Sequence, residues 1–536
     1  MIRKPARASL ALAASAALLI SACSGGNSAS NPSDSADDGD AGAGAGGGTL
    51  VVDTAFSLET GDPGRNYVPT GSIVLHAMYE TLLTFDGDDE STPVPALATM
   101  EANDAATEFT FTLTGDRTFS DGSPIDADDV VFSLERLAGM ESSKANFLMA
   151  GIEVTKVDDT TVVLTTTEPS LQVPAIVTNP ALSILNSELV EANGGTTDDT
   201  DAAEDFLGST SAGSGPYVLD QLDLTSQVVL VPNPDYDGEK PAAYDRIVVR
   251  NVTEPATQLT NLRGGDSQLA LDLSGDQVAG LGSDLDVNSV PGAQSIFLLL
   301  NQDAGVSGTL ANPAFAEAVR YALDYDALLE LAGDGSVEAS GVIPPMFLGA
   351  LEEGVTQDLD RSAAALAESG YQGETISLRF PNDNPVGGVD FTTLGERVQS
   401  QLQAAGIQVS LAPGPFASEI DPYVDGTGAF SMWYWGPDFA DSSSFLPFGP
   451  GEKVGLRAGW TADAAPDVAA LVAAAKTATD PVEREAAFTD YATAMQESGA
   501  FVPLLVPARH FASSGVDGVA YNSNWTVDLT DLSPAE

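Results

Sequence analysis

Apolar positions along the chain recur with two periods. Strict alternation over 109–114 (FTFTLT) and a β-rich run at 161–167 predict strands with one buried face. Residues 50–56 (LVVDTAF), 228–231, 247–252 and 296–301 (IFLLLN) are short runs of branched and aromatic side chains and predict further strands. Helical spacing runs through 71–85, on Ile73, Leu75, Met78, Leu82 and Phe85. It returns in 315–333, which follows the capping residue Asn312 and Pro313 at the first helical position, and in 361–371, 467–476 and 483–495. Asp126 or Asp128 is placed to cap a helix carrying Val130, Val131 and Leu134. Residues 396–411 read as helix, glycine stop and strand, as in an α/β layer. A Gly-rich turn enters a strand at 213–219, with 228–231 as its partner, and 501–506 reads as a strand broken by Pro503. The pattern predicts an α/β chain. Its 536 residues exceed what one hydrophobic core usually supports, so two or more domains are expected.

One stretch departs from ordinary patterning. Residues 428–445 (GAFSMWYWGPDFADSSSF) hold a predominantly apolar and aromatic run, which predicts a strand covered on both faces. Gly436-Pro437 ends it, and two carboxylates, Asp438 and Asp441, follow. Ligands of open α/β sheets bind beyond the carboxyl ends of strands. Trp433, Tyr434 and Trp435 are therefore candidates for an aromatic wall, and Asp438 and Asp441 for a carboxylate delivered into a cleft. The competing reading is a core tryptophan pair followed by a solvated acidic loop.

Charge narrows the function. The chain has 21 basic and 78 acidic residues, a net charge of −57 spread without a dominant block. A nucleic-acid partner would need a basic footprint, so none is expected. Docking on anionic lipid is disfavoured for the same reason. Cys23 is the sole cysteine, and His76 and His510 are the only histidines. No internal disulfide, metal site or cofactor is expected. No G-x-S-x-G elbow, P-loop or H-E-x-x-H motif is present, and an enzyme is not expected.

The amino terminus reads as an export signal. Arg3, Lys4 and Arg7 precede a small, apolar run at 8–22, too short to span a membrane as a helix. It ends Ile20-Ser21-Ala22-Cys23, which resembles a bacterial lipobox, with cleavage before Cys23 and lipidation of its thiol. Residues 1–22 are then a signal peptide. Residues 23–48 form a lipid-anchored flexible tether, too poor in large apolar side chains to order itself. Membrane contact is expected through this anchor only, at the outer face of the cell membrane.

Nine short motifs, taken in order, carry a family resemblance. They are AMYETLL (77–83), PVPALA (93–98), FSDGSPIDADDVVFS (119–133), GSGPY (213–217), NPDYDG (233–238), AVRYALDYDALL (318–329), AALAESGY (364–371), QLQAAGIQV (401–409) and WGPDFADSSSF (435–445). The chain resembles the extracellular solute-binding proteins of ABC importers, in the peptide/nickel (oligopeptide-binding, family 5) group. The resemblance implies a type II periplasmic-binding fold of two α/β lobes and a hinge. It places a first lobe at 49–290 with a subdomain inserted at about 86–210, a second lobe at 291–507, and a return to the first at 508–536. It implies a monomer that captures di- or oligopeptides between the lobes and delivers them to a permease with its ATPase subunits. In peptide-binding members the aspartate of a W-x-x-D motif pairs with the ligand's α-amino group, and that position here is Asp438. The family often continues with Asp-Pro, whereas this chain has Asp441-Ser442. Relatives that bind oligosaccharides or nickel complexes supply the alternative ligands. For a sugar, Trp433, Trp435 and Trp460 would be the stacking surfaces.

Overall fold

Two mixed sheets organise the chain in the computed structural model, which describes residues 47–535. The signal segment, Cys23 and all but the last two residues of the tether lie outside the described residues.

Thr49–Thr54 is the first strand, and its inward side chains Leu50 and Val52 are fully buried. It pairs in parallel with Arg246–Asn251 and Leu269–Ala270. The whole sheet has seven strands, in the order Asp286–Pro291, Ala508–Ser513, Leu269–Ala270, Thr49–Thr54, Arg246–Asn251, Gln227–Pro232, Tyr217–Asp223. The second sheet has six, in the order Val337–Glu338, Phe501–Val506, Ser295–Leu300, Phe430–Trp435, Ile376–Pro381, Val409–Gly414. The chain passes between the sheets twice, after Pro291 and after Val506. A hydrogen bond from Gly292 N to Pro507 O (2.9 Å) ties the two crossings together. Two short, adjacent crossings are the geometry of a hinge.

A separate four-stranded antiparallel sheet, Ala98–Ala102, Glu108–Leu113, Thr161–Thr166 and Ile152–Asp158, packs on the helix Ala127–Gly139. Asp126 caps that helix in a reciprocal box with Asp129, which satisfies two orphan donors at its first turn. After the last large strand, the carboxy-terminal segment packs back on the helix Pro69–Met78. Trp525 stacks on His76 at 3.8 Å, and Asp528 sits 3.3 Å from His76 Nε2.

Three expectations are corrected by tertiary contacts. The helical pattern at 71–85 ends at Met78, and Leu83–Asp86 is a strand. Gly213 and Gly215 press against the end of this helix. A Cβ on Gly213 would lie 2.3 Å from the Tyr79 ring, and Gly215 N donates to Met78 O (3.0 Å). The 315–333 helix is two, Pro313–Ala322 and Tyr325–Leu329. Leu323 is extended there, and Asp324 recaps the second helix while its N–H donates to Gln401 Oε1 (2.9 Å). Pro503 does not break its strand. It sits opposite Phe297 beside a bulge between Ile296 and Phe297, where the irregular ladder accommodates a residue without an N–H.

Candidate functional site

Phe430–Trp435 lies inside the second sheet, antiparallel to Ser295–Leu300 and parallel to Ile376–Pro381. Its side chains alternate between two cores. Phe430 and Met432 enter one, with Tyr434 at its margin; Trp433 enters the other, with Trp435 at its margin. The strand leaves the core as it ends: Trp433 is buried, while Tyr434 and Trp435 are half-buried.

Each aromatic is held. Trp433 stacks on Tyr423 (4.5 Å) and Phe416 (5.6 Å). Tyr434 Oη accepts from Asn384 Nδ2 (2.9 Å), and Trp435 Nε1 donates to Ser444 O (3.1 Å). Fixed rings cost a ligand little ordering entropy. Trp460 is buried in the core, 5% exposed, and offers no free face.

Beyond Gly436-Pro437 the chain reaches the other lobe. Phe439 is buried among side chains of the inserted four-stranded sheet. The Asp438 carbonyl accepts from Asn179 Nδ2 (2.9 Å), and Asp438 Oδ1 accepts from the Tyr67 hydroxyl. Burial pushes the Asp438 carboxyl above the usual carboxylate range, against the pull of the Tyr67 hydrogen bond and of the Lys453 and Arg457 charges. Burial and the Asp438 charge drive the Tyr67 hydroxyl far above its ordinary value, so it stays a donor.

Asp438 borders a cavity of about 760 Å³ between the lobes. Thr54, Tyr67 and Asp272 face it from one side, and Trp433, Tyr434 and Trp435 from the other. A second space of about 330 Å³ shares Tyr67, Tyr434, Asp438 and Arg509. A third, of about 610 Å³, lies against Trp435 and Asp438 and is walled by Phe147, Leu171 and Leu446. Asp438 thus stands where three compartments meet.

Asp441 takes another direction. Its Oδ1 accepts from Ser443 N (2.8 Å), capping the short helical turn Ser442–Phe448. Both its oxygens accept from Arg484 Nη2 (2.8 and 2.9 Å). It lines none of the three compartments. Asp441 is thus engaged by Ser443 and Arg484 and stands apart from the compartments that Asp438 borders.

Other polar residues of the cleft carried no readable signal. Tyr67 lies in an irregular segment, and Arg457 and Arg509 resemble any other arginine in the sequence. Asp272 was within reach of inference, because it follows the short strand Leu269–Ala270 beside the end of Thr49–Thr54. It accepts from Thr54 Oγ1 (2.9 Å), Ala55 N (2.8 Å) and Gln258 Nε2 (3.1 Å). Among the described residues no cluster of three or more His, Cys, Asp or Glu side chains is arranged to hold a metal ion.

Known proteins are similar to this chain in sequence and fold. The chain matches the model of the bacterial extracellular solute-binding proteins, family 5 (middle), over residues 92–452. It is 28% identical over 413 residues to a probable D,D-dipeptide-binding periplasmic protein, DdpA, of Escherichia coli strain K12, covering 74% of this chain and 77% of that protein. It is 26% identical over 434 residues to di/tripeptide-binding protein 2 of Pseudomonas aeruginosa, covering 74% and 78%. Among solved structures, the ABC transporter substrate-binding protein CtaP of Listeria monocytogenes aligns with a TM-score of 0.79 at 18% identity, over 92% of this chain and 100% of that one. The periplasmic binding protein DppA of Helicobacter pylori, solved with the peptide STSA, aligns with a TM-score of 0.73 at 21% identity, over 91% and 98%. The structural likenesses establish the two-lobed type II periplasmic-binding fold, and with a family match over most of its length the chain belongs to the bacterial extracellular solute-binding proteins of family 5.

Proposed function

We propose that this chain is the receptor of an ABC importer and that its cleft captures di- or oligopeptides, with the ligand's α-amino group on Asp438. The observation that carries this reading is the state of Asp438. It is a buried carboxylate at a junction of compartments, bonded through its side chain to one neutral hydroxyl and raised in pKa by its burial. A desolvated carboxylate is relieved by a cationic partner with hydrogens to donate, and a peptide ammonium is such a group. The 760 Å³ cavity lies within the range of roughly 300–1,000 Å³ common for small-ligand pockets. Relatives named for binding dipeptides and tripeptides support the same class.

A sugar needs an uncovered aromatic face, but Trp433 is stacked by protein rings, Trp460 is buried, and the half-buried Trp435 has Arg457 over its ring and the Phe448 ring against it edge-on. These observations favour the peptide over the oligosaccharide. Mass spectrometry of ligand released from protein purified without refolding tests the reading. Peptides with free amino termini are the expected release; a sugar or a metal complex alone would overturn it.

Anchoring and delivery complete the proposal. A monomeric body tethered through Cys23 at the outer face of the membrane would hand its ligand to the permease and the ATPase subunits behind it. No described helix is long and apolar enough to cross a membrane. Cys23→Ala should therefore move the protein from the membrane fraction to the soluble fraction. Wild-type levels of membrane retention in that variant would rule out the lipid anchor.

A further inference from the structure

The carboxy-terminal return of the chain forms part of the cleft wall. Tyr521, Ser523, Asn524 and Thr526 border the space of about 330 Å³, and Thr526 also borders the cavity of about 760 Å³. Asp438 and Tyr67 border the same two spaces. The backbone is unusual at this point. Thr526 has a φ of 64°, in the left-handed region. Among the described residues the other non-glycine residue with positive φ is Ala106, in the turn between two strands of the inserted sheet. Left-handed backbone crowds a Cβ against the following carbonyl, and a β-branched side chain suits it least. Val527 N donates to Trp525 O (2.7 Å) across Thr526, closing a three-residue turn of the rare kind that needs a positive φ at its centre.

Neighbouring contacts hold the turn in this state. Asn522 and Thr526 exchange two backbone hydrogen bonds (3.1 and 2.8 Å), which close 522–526 into a loop. Trp525 is 1% exposed and stacks on His76 at 3.8 Å. Asn522 Nδ2 donates to Gly87 O (3.1 Å), and Asn524 Nδ2 donates to Thr178 Oγ1 (2.7 Å). Ser523 donates to the Glu90 carboxylate through its N–H and its hydroxyl. Of the hydroxyls and amides in this loop, only the Thr526 hydroxyl has no protein partner among the described residues. Glycine would make the same turn without strain. What the strain preserves is the threonine side chain, at a wall shared with Asp438. Strain that the surroundings over-determine is a mark of sites that must be preorganised.

We infer that Thr526 is a ligand-contact residue: the strained turn holds its hydroxyl against the amino-terminal end of the bound peptide, as a second polar contact beside Asp438. This deepens the proposed function and rests on it. A hydroxyl both donates and accepts, so its partner is either an N–H of the ligand's ammonium or the ligand's first carbonyl.

Calorimetry tests this on the peptides that wild type retains from a mixed library of di- and tripeptides, with urea unfolding measured alongside. Thr526→Val is nearly isosteric and keeps the β-branch. Its affinity should fall about threefold to tenfold, the range of one neutral hydrogen bond, with the urea midpoint unchanged. Thr526→Ser keeps the hydroxyl and should bind within about twofold of wild type. Thr526→Gly should lose affinity as valine does while its urea midpoint stays at or above that of wild type, because the left-handed strain is gone. Lost affinity without lost stability separates a ligand contact from a structural role. Repeating the wild-type and valine comparison with N-acetylated peptides locates the partner. A loss that persists assigns it to the first carbonyl, a loss that vanishes to the ammonium, and both support the contact. Wild-type affinity in Thr526→Val, or a loss in Thr526→Ser as large as in Thr526→Val, overturns it. Wild type that retains no peptide overturns the proposed function along with this contact. Retention by wild type with equal affinity in Thr526→Val removes the contact alone.

Discussion

Replacing Asp438 with alanine should weaken peptide binding by roughly one and a half to nearly four orders of magnitude, the equivalent of about 2–5 kcal/mol. The size of the effect follows from burial. An ammonium that enters the cleft gives up its water, and without Asp438 it is left unpaired in a desolvated site. The effect should depend on the ligand's amino terminus: N-acetylation should cost wild type much of its affinity and cost Asp438→Ala little more. Acidification should act in the same direction. Burial raises the Asp438 carboxyl, and the ammonium binds only its ionised form. Affinity should therefore fall with decreasing pH from a point above the ordinary carboxylate range, and the variant should show no such limb. Asp441→Ala is the informative control. That residue caps a turn and holds Arg484, so its loss should cost about 1 kcal/mol or more of stability and leave affinity within a few fold. Calorimetry that finds both aspartates equally dispensable, or acetylation harmless, would remove Asp438 as an amine anchor.

The strand that ends at this site was readable because local chemistry and global position agree there. A run of aromatics stopped by Gly436-Pro437 has few structural outcomes, and an interior strand opening on a cleft is one of them. A cap at Asp126 or Asp128 was readable for the same reason, since capping is a local interaction, and the structure places it at Asp126. Failures came where distant residues decide. Nothing in 71–85 shows that Gly213 and Gly215 will press on Tyr79 and Met78, more than 130 residues away. Nothing near Pro503 reveals that Phe297 will meet it at a bulge. Asp438 and Asp441 are chemically alike and three positions apart, but Tyr67 draws one to the cleft and Arg484 draws the other away. Partners of this kind are separated by tens to hundreds of residues, and pattern along the chain carries no trace of them.

Arg136→Met should destabilise the first lobe by about 3–5 kcal/mol, the usual penalty for breaking a buried ion pair by removing one member. Arg136 is 1% exposed, and the Asp62 and Asp201 side chains are 0% exposed. Its Nη1 and Nη2 donate to Asp62 (2.9 and 2.5 Å), and its Nε and Nη2 donate to Asp201 (both 2.8 Å). One guanidinium thus bridges two carboxylates that are shut off from solvent. The remaining cation, Arg65, reaches Asp201 at 3.0 Å and Asp62 at 3.4 Å and is itself 17% exposed. It cannot replace two bidentate forks. The pH dependence separates a charge effect from lost packing. The arginines hold the Asp201 carboxyl below its ordinary range despite burial. Its contribution to stability is therefore present above the unfolded-state pKa and is lost as pH falls through the lower folded value. In Arg136→Met, burial opposes a weaker pull from Arg65, the Asp201 carboxyl rises, and protonation in the folded state relieves it. The gap between wild type and variant should be widest near neutrality and narrow steadily towards acid. Urea unfolding followed by circular dichroism at several pH values measures it. A gap that stays constant with pH would assign the loss to packing around the methionine. A gap near zero at pH 7 would show that Arg65 and local water already carry the two carboxylates.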